Sequence, residues 1–383
     1  MKQAITIVGC GIIGASIAYH LSKLDLTVTV LDRLPAPIAP DETVCSTSTG
    51  AALGVLMGAI SKKEKGGNLR MRLDSIQAYN QLIPELEALT GQSIPFNRQG
   101  ILMLQFAADL TPENLARWER LLEVRRSQGW RLEILSGDRL KADAPYLNFE
   151  AVKAAVYSPD DRQVNPVALT RALIKAAQQN GVTFHFDTTV TSATDGETHT
   201  TIHTSTGELS TDWLVIAAGL GSTPLTMAMA QPIEIRPVLG QAVHLRLAKP
   251  LGQALQPVIT GDDVHLVPLG GGDYWVGATV EFSEGEFSEF VTPLPDRSQL
   301  ETLMQQAIGF CPGLAQAEII RTWSGLRPRP HARPAPIVEP LPGYRRILLA
   351  TAHYRNGVLL APATAKIVQA AIARETCETI VGV

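Results

Sequence analysis

Apolar residues along this chain follow two rhythms, and the places where one gives way to the other mark its elements. Ile5-Thr6-Ile7-Val8 is a short apolar stretch with the look of a buried strand, and the run after it, as far as Leu24, is amphipathic at helical spacing. Thr27-Val28-Thr29-Val30-Leu31 predicts a second strand, so the chain opens on a βαβ unit. A helical stretch from about Asn68 to Thr90 follows, then a strand from Gly100 to Phe106 and a charged helix from Pro112 to Gln128. The segment Asp161 to Pro166 predicts the cap of a helix that runs to Asn180 and stops at Gly181, before the alternating strand Val182 to Phe186. Short strands are expected from Thr189-Val190-Thr191 through Leu209, and Leu214 to Gly219 has the unbroken apolar character of a fully buried parallel strand. From Ile233 to Val280 the alternation is of period two, with Gly270-Gly271-Gly272-Asp273 as a hairpin turn, which predicts a second, antiparallel sheet. The proline-rich stretch from Pro328 to Pro342 reads as a rigid connector.

Length and charge narrow the picture. With 383 residues the chain exceeds what one hydrophobic core usually supports, so two domains with a cleft between them are expected. A net charge of −4, with no long Lys/Arg block, argues against a nucleic-acid partner. Cys10, Cys45, Cys311 and Cys377 are scattered without paired spacing, which argues against a metal site and a disulfide framework and for a reducing compartment. The first strand starts too early to leave room for a signal peptide. The longest apolar run, Gly50 to Ile60, is too short to span a bilayer. A cytoplasmic protein without a transmembrane segment is expected, and a homo-oligomer remains open.

Chemistry first shows at Gly9-Cys10-Gly11-Ile12-Ile13-Gly14, which lies between the first strand and the first helix. There Gly9 allows the tight turn, Gly11 lets backbone approach a pyrophosphate, and Gly14 permits close helix-to-strand packing, while the free N–H groups at Ile12 and Ile13 receive phosphate charge. Asp32, with Arg33 beside it, ends the second strand near the distance at which an acidic side chain meets the ribose 2′-hydroxyl. Dinucleotide binding follows. The competing account is a glycine-rich turn in an unrelated α/β fold, with Asp32 there by chance. The motif alone does not decide between NAD and FAD.

Segments far from the motif do. Trp323-Ser324-Gly325-Leu326-Arg327-Pro328 and His353-Tyr354-Arg355-Asn356-Gly357-Val358-Leu359-Leu360 resemble the C-terminal flavin and substrate segments of glycine oxidases, FAD enzymes of the D-amino-acid oxidase superfamily. Ser46 to Gly54 and Trp213 to Gly219 look like the same pattern, so the resemblance spans nearly the whole chain. It implies noncovalent FAD, an α/β fold (α+β overall), and a Rossmann-type FAD-binding domain (1–67, 146–225, 326–383). Interleaved with that domain is a substrate domain on a large antiparallel sheet (68–145, 226–325). Further FAD contacts are expected from Ser48, Thr49, Leu53, Gly54, Val55, Val190, Ala218 and Gly219, and from His353, Tyr354, Asn356, Gly357, Val358 and Leu359.

The resemblance makes Arg327 the clamp for a substrate carboxylate and sets Arg355 and His265 in the adjoining substrate site. A guanidinium suits that task because it forms two parallel hydrogen bonds to a carboxylate, although a structural salt bridge would also explain Arg327. Arg355 precedes a helix expected to start near Gly357, where a positive charge is unfavourable unless an anion is present. The implied reaction is hydride transfer from the Cα of a small amino acid to flavin N5, with no catalytic acid or base required of the protein. The imino acid then hydrolyses to an oxo acid and ammonia, and molecular oxygen yields hydrogen peroxide. Glycine, sarcosine or a small D-amino acid is the expected substrate, with a link to thiamine biosynthesis. Two alternatives stay open: a dehydrogenase using a quinone or protein acceptor, and a flavin-binding scaffold without turnover. Two departures stand out. His265 occupies the position of a tyrosine that assists carboxylate binding in glycine oxidases, and a histidine there either donates a hydrogen bond or merely faces the sheet. The proline-rich stretch also lacks the Asp-Gly-x-Pro-like element of many relatives. No cysteine lies in the C-terminal flavin segments, and Cys45 reads as a packed thiol rather than a tether.

Overall fold

The computed structural model describes residues 2–38, 43–252, 255–282 and 291–381, with side chains described as far as residue 373. Cys377 therefore lies outside the described side chains. The N-terminal βαβ unit forms as expected: strands Gln3–Val8 and Leu26–Leu31 pair in parallel around the helix Ile12–Leu21. They are the centre of a six-stranded sheet ordered Ile337–Pro340, Ile347–Thr351, Trp213–Ile216, Gln3–Val8, Leu26–Leu31, Thr183–His185. Every neighbour pair is parallel except at the 337–340 edge. Strands buried on both faces read as continuous apolar runs, which is why Trp213-Leu214-Val215-Ile216 carries no alternation.

One face of this sheet packs on three helices, Ile12–Leu21, Pro166–Gln179 and Gly357–Val381, through Ile7, Ile17, Leu173 and Leu360. The helix Gly67–Thr90 joins this layer through Ile76, Tyr79 and Leu86, although its sequence position suggested the substrate domain. Its apolar stripe finds the helices of the parallel sheet, and the Tyr79 hydroxyl donates to the carbonyl of Val358. The opposite face is covered by the three-stranded antiparallel sheet Val190–Asp195, Thr200–Thr204, Gly207–Thr211, through Ala193 and Ile202. By length and composition the stretch Tyr354–Ala373 is apolar enough to cross a membrane. Here it is a core helix, with Val358, Leu359, Leu360 and Ala365 all buried.

The second large sheet has nine strands among the described residues and is antiparallel apart from one parallel junction, between Val258–Gly261 and Ile101–Phe106. Its long members are Ile235–Arg246 and Glu318–Pro330, paired from Ile235↔Pro330 to Arg246↔Glu318. The strand therefore continues through Pro328 and Pro330, into the stretch expected to be a connector. It is tolerated there because, among the described residues, Glu318–Pro330 has one partner strand, with an isolated bridge from Val44 to Ser324 on its other side, and an edge strand can carry prolines whose missing N–H would otherwise leave a gap in the ladder. The connector itself shortens, since Ile337–Pro340 forms the antiparallel edge of the first sheet. The expected hairpin turn at Gly270 to Asp273 joins Val264–Gly270 to Asp273–Gly277.

Candidate active site

Between the two sheets lies a cavity of about 1000 Å³, at the upper end of the roughly 300–1000 Å³ common for small-molecule sites. It is lined by all the site residues expected from the sequence except Gly14. Gly14 acts one layer below. A Cβ there would lie 1.8 Å from the carbonyl oxygen of Gly9, so only glycine lets the first helix sit this close to the turn.

At one end the cavity is built for a dinucleotide. Gly9 has φ +101°, and a Cβ on it would stand 2.6 Å from the Ala217 carbonyl oxygen, so both backbone conformation and space require glycine. The helix beginning at Ile12 points its N-terminus into this cradle, with the Ile12 N–H donating to Thr49 Oγ1 at 3.1 Å. Asp32 is fixed by backbone on both oxygens: Cys10 N–H donates to Oδ2 at 2.5 Å and Leu34 N–H to Oδ1 at 2.8 Å. Each oxygen keeps a second lone pair, and the residue lines the cavity, as a ribose acceptor would. Ser48 is held by a 2.6 Å bond from its hydroxyl to the Leu326 carbonyl, which ties the short helix Ser48–Ala51 to the arginine strand. Cys45 is buried in the wall, as a packed thiol. A second helix N-terminus, at Gly357, opens on the same space after a sharp turn in which Ala352 and Tyr354 adopt left-handed φ of 55° and 53°. These features suit FAD. Glycine-lined backbone would hold the pyrophosphate, and the two helix N-termini would supply positive potential to a bound FAD.

The other end carries the polar chemistry. Arg327 lies three residues inside its strand rather than at the end, opposite Val238. Its Nη1 donates to the carbonyls of Leu239 at 3.1 Å and Thr279 at 2.9 Å. Among the described residues its hydrogen-bond partners are carbonyls and not a carboxylate, unlike a structural salt bridge. Burial, and after it the charge of Arg355, pushes the Arg327 guanidinium down to about 10, still far above neutrality. Arg355 has its anion: Nη2 stands 3.6 Å from Oδ1 of Asp263, at the tip of the hairpin joining Val258–Gly261 to Val264–Gly270. His265, on that hairpin, faces the cavity and not only the sheet, and its Nδ1 is 2.9 Å from the hydroxyl of its cross-strand neighbour Thr260. Burial first, then Arg355, pushes its imidazole down to about 4, so the ring is neutral at physiological pH. A neutral ring can offer one donor or one acceptor to a substrate, and its charge does not change near pH 6.5 as the residue type alone would suggest.

Sequence reasoning missed part of the wall. Asp109, Asp262 and Asp263 ring the mouth, and burial followed by the charges of Asp109 and Asp263 raises Asp262. Met57, Ile60, Ser61 and Lys62 form one side on a loop that is clamped from below. Asp161 is fully buried and accepts the amides of Gly58, Ala59 and Ile60 at 2.7, 2.9 and 2.8 Å. Arg125, also fully buried, donates to the carbonyls of Ala59 at 2.7 Å, Ser61 at 2.9 Å and Lys63 at 2.5 Å. Asp161 thus serves this loop, and the helix expected to be capped nearby uses Asn165, whose Oδ1 accepts the Ala168 amide at 2.9 Å.

Residues 4–371 match the family described as FAD dependent oxidoreductase (DAO). A glycine oxidase of Bacillus licheniformis is 30% identical over 94% of this chain and 89% of its own length. The bifunctional protein ThiO/ThiG of Synechocystis is 31% identical over 95% of this chain but only 50% of its own length. The crystal structure of glycine oxidase from Geobacillus kaustophilus superimposes with a TM-score of 0.83 at 27% identity, covering 97% of this chain and 95% of that one.

Proposed function

The chain belongs to the FAD-dependent oxidoreductase family, and from that premise we propose that it oxidises a small α-amino acid: glycine, sarcosine or a small D-amino acid. The product is the imino acid, which water converts to an oxo acid and ammonia, or methylamine where sarcosine is the substrate, with molecular oxygen as the final acceptor and hydrogen peroxide as the second product. FAD supplies the two-electron acceptor when bound, held without a covalent link. The observation that carries the reading is Arg327, a guanidinium enclosed by protein, braced on two carbonyls through Nη1 and bordering the cavity.

In this reading Arg327 binds the substrate carboxylate, and His265 and Arg355 flank it. With its geometry fixed by Leu239 and Thr279, the guanidinium has little conformational freedom to lose on binding, so the substrate is oriented at small entropic cost. Neutral His265 adds a hydrogen bond without a second charge. No side chain is required to accept the proton of the substrate amine, because the free amine is present in solution and only its fraction depends on pH. The glycine oxidase and ThiO/ThiG relatives support glycine as substrate and a place in thiamine biosynthesis.

The test is an anaerobic titration of the FAD-loaded protein with single amino acids, followed by admission of air. Bleaching of flavin absorbance by glycine, sarcosine or a small D-amino acid, then recovery with stoichiometric peroxide, is the expected result. Bleaching without recovery in air would place the acceptor among quinones or proteins. No bleaching by any small amino acid would overturn the substrate class.

A further inference from the structure

A hydrogen-bonded cluster lies behind Arg327, on the side of the large sheet turned away from the cavity. The two-residue strand Glu281–Phe282 pairs antiparallel with Ile235–Arg246, Phe282 opposite Val238 and Glu281 opposite Leu239. Arg327 pairs with Val238 from the other flank, so by alternation its side chain shares a face with Phe282, and Glu281 points the other way. On that far face one oxygen of the Glu281 carboxylate gathers two donors: Oε1 accepts the Thr279 hydroxyl at 2.5 Å and Gln241 Nε2 at 2.8 Å. Gln241 is fully buried, and its own Oε1 accepts the amide of Asp296, the cap of the helix Arg297–Phe310. Thr279 is locked by this cluster. Its N–H donates to the Gln241 carbonyl at 3.2 Å, and its hydroxyl accepts the Gln241 N–H at 2.9 Å while donating to Glu281. The polar group left over is its carbonyl, which accepts Nη1 of Arg327.

We propose that Glu281 is a positioning residue for Arg327, acting through Thr279, and that it thereby sets the affinity of the site for a carboxylate. The inference rests on the reading of Arg327 as the carboxylate clamp. Both carbonyls that brace Nη1 depend on the strand of Glu281: Leu239 is its cross-strand partner, and Thr279 is tied to its side chain. For the Thr279 carbonyl to turn off the guanidinium, the hydroxyl of the same residue would have to break its bond to an ionised acceptor, which is stronger than a bond to a neutral one. The placement also answers a conflict. A carboxylate on the cavity side would pair with Arg327 and compete with the substrate, whereas from the far face Glu281 steadies the arginine without occupying it.

Acetate is the probe, since it carries the carboxylate of an amino acid and has no amine. Its dissociation constant is read on the FAD-loaded protein from the change it makes in the flavin spectrum, and FAD affinity is measured in parallel on apoprotein. Glu281→Ala should weaken acetate by about tenfold or more, as a misplaced clamp does, and leave FAD affinity within about twofold of wild type. Glu281→Asp keeps the charge but falls one methylene short of both donors, and should weaken acetate in the same way. Glu281→Gln removes the charge but offers one oxygen to the same two donors, and should bind acetate within about threefold of wild type. Wild-type acetate affinity in Glu281→Asp or Glu281→Ala, a loss in Glu281→Gln equal to that in Glu281→Ala, or a loss of FAD affinity as large as that of acetate would each overturn the role of Glu281. Arg327→Ala tests the premise separately and should abolish acetate binding. Acetate affinity that survives in that variant would overturn the clamp reading, and the role of Glu281 with it.

Discussion

The guanidinium of Arg327 lies against the backbone of Gly240, so closely that a Cβ at position 240 would stand 2.3 Å from Nη2 and 2.5 Å from Cζ. Arg327 pairs across the strands with Val238, and its side chain turns along the sheet to cover the next row, which holds Gly240 and Gly325. Gly240 leaves the space that the guanidinium needs, while its cross-strand partner Gly325 makes room for Ala51, whose Cβ would stand 2.2 Å from a Cβ at 325. Gly240→Ala is therefore expected to push the guanidinium off its two carbonyl braces at a cost of about 1–3 kcal/mol, an overpacking effect. That corresponds to a fall of about fivefold to 150-fold in kcat/KM. Flavin content should be unchanged, since Gly240 is remote from the glycine turn. A variant with normal kcat/KM would show that the position of Arg327 is not set by this contact.

Arg327→Ala tests the residue itself. On the proposed role, its loss leaves a desolvated substrate carboxylate unpaired, which should cost on the order of 2–5 kcal/mol in kcat/KM with flavin content normal. Arg327→Lys should restore only part of it, because an ammonium is a point charge and cannot reproduce two parallel hydrogen bonds. Equal rates for wild type and Arg327→Ala on every active amino acid would move the clamp to Arg355 or His265.

Asp32 holds the turn and faces the cofactor seat at once. Asp32→Ala should weaken FAD affinity by about 1–3 kcal/mol, measured by titrating apoprotein with FAD, while turnover at saturating FAD changes little. Part of the loss comes from the amides of Cys10 and Leu34, which lose their acceptor. Asp32→Asn keeps one carbonyl oxygen and should fall between. Unaltered affinity in both would exclude Asp32 as the ribose acceptor.

The parts of the site that were legible in the sequence are those encoded by neighbours. Gly9 to Gly14 and Asp32 form a short βαβ pattern that residue order alone reveals, and the segments around Arg327 and Arg355 are contiguous runs whose resemblance to those of glycine oxidases points to them. The clamped loop was not legible. Asp161 and Arg125 reach it from 101 or more and 62 or more positions away, and a single buried charge in the middle of a segment carries no periodicity. Gly240 was hidden for a related reason. Within an alternating strand it reads as a gap, and its purpose appears only when the side chain from the paired strand is in place. The extension of the Glu318–Pro330 strand was obscured by its prolines, which suppress a strand reading that an edge position permits.

The clamp makes a stability prediction. Asp161→Ala leaves three buried amides without an acceptor, and a loss of roughly 3–5 kcal/mol is expected, comparable to breaking a buried ionic network. Asp161→Asn is only a partial remedy. Whichever way the amide is turned, its NH₂ group meets at least one of the N–H donors that Oδ1 and Oδ2 now accept. Chemical denaturation should rank wild type above Asp161→Asn and Asp161→Ala lowest. Equal midpoints would show that the loop finds its amide partners elsewhere.

His353 makes a prediction about pH. It is 3% exposed, its Nε2 stands 2.9 Å from the Thr364 hydroxyl, and burial pushes it from an ordinary value of 6.5 down to about 3. In the unfolded chain the ring takes a proton as pH falls through 6.5, whereas in the folded chain it stays neutral until about 3. Between those values the unfolded state binds one proton more, so stability is full above 6.5 and is lost on acidification, by up to about 1.4 kcal/mol per pH unit. His265 acts with the same sign between 6.5 and about 4, but it borders the cavity, where bound ligand changes its surroundings. His353→Gln removes one titration and leaves the other. The drop in unfolding free energy of the apoprotein from pH 7 to pH 5 should then be about 2 kcal/mol smaller in the variant than in wild type, whatever the offset between them at pH 7. Carboxylates contribute equally to both proteins and cancel in that difference. Parallel stability curves across this range would mean that His353 takes up its proton in the folded protein at the same pH as in the unfolded chain, and that at pH 5 its bond to Thr364 is made by an imidazolium rather than a neutral ring.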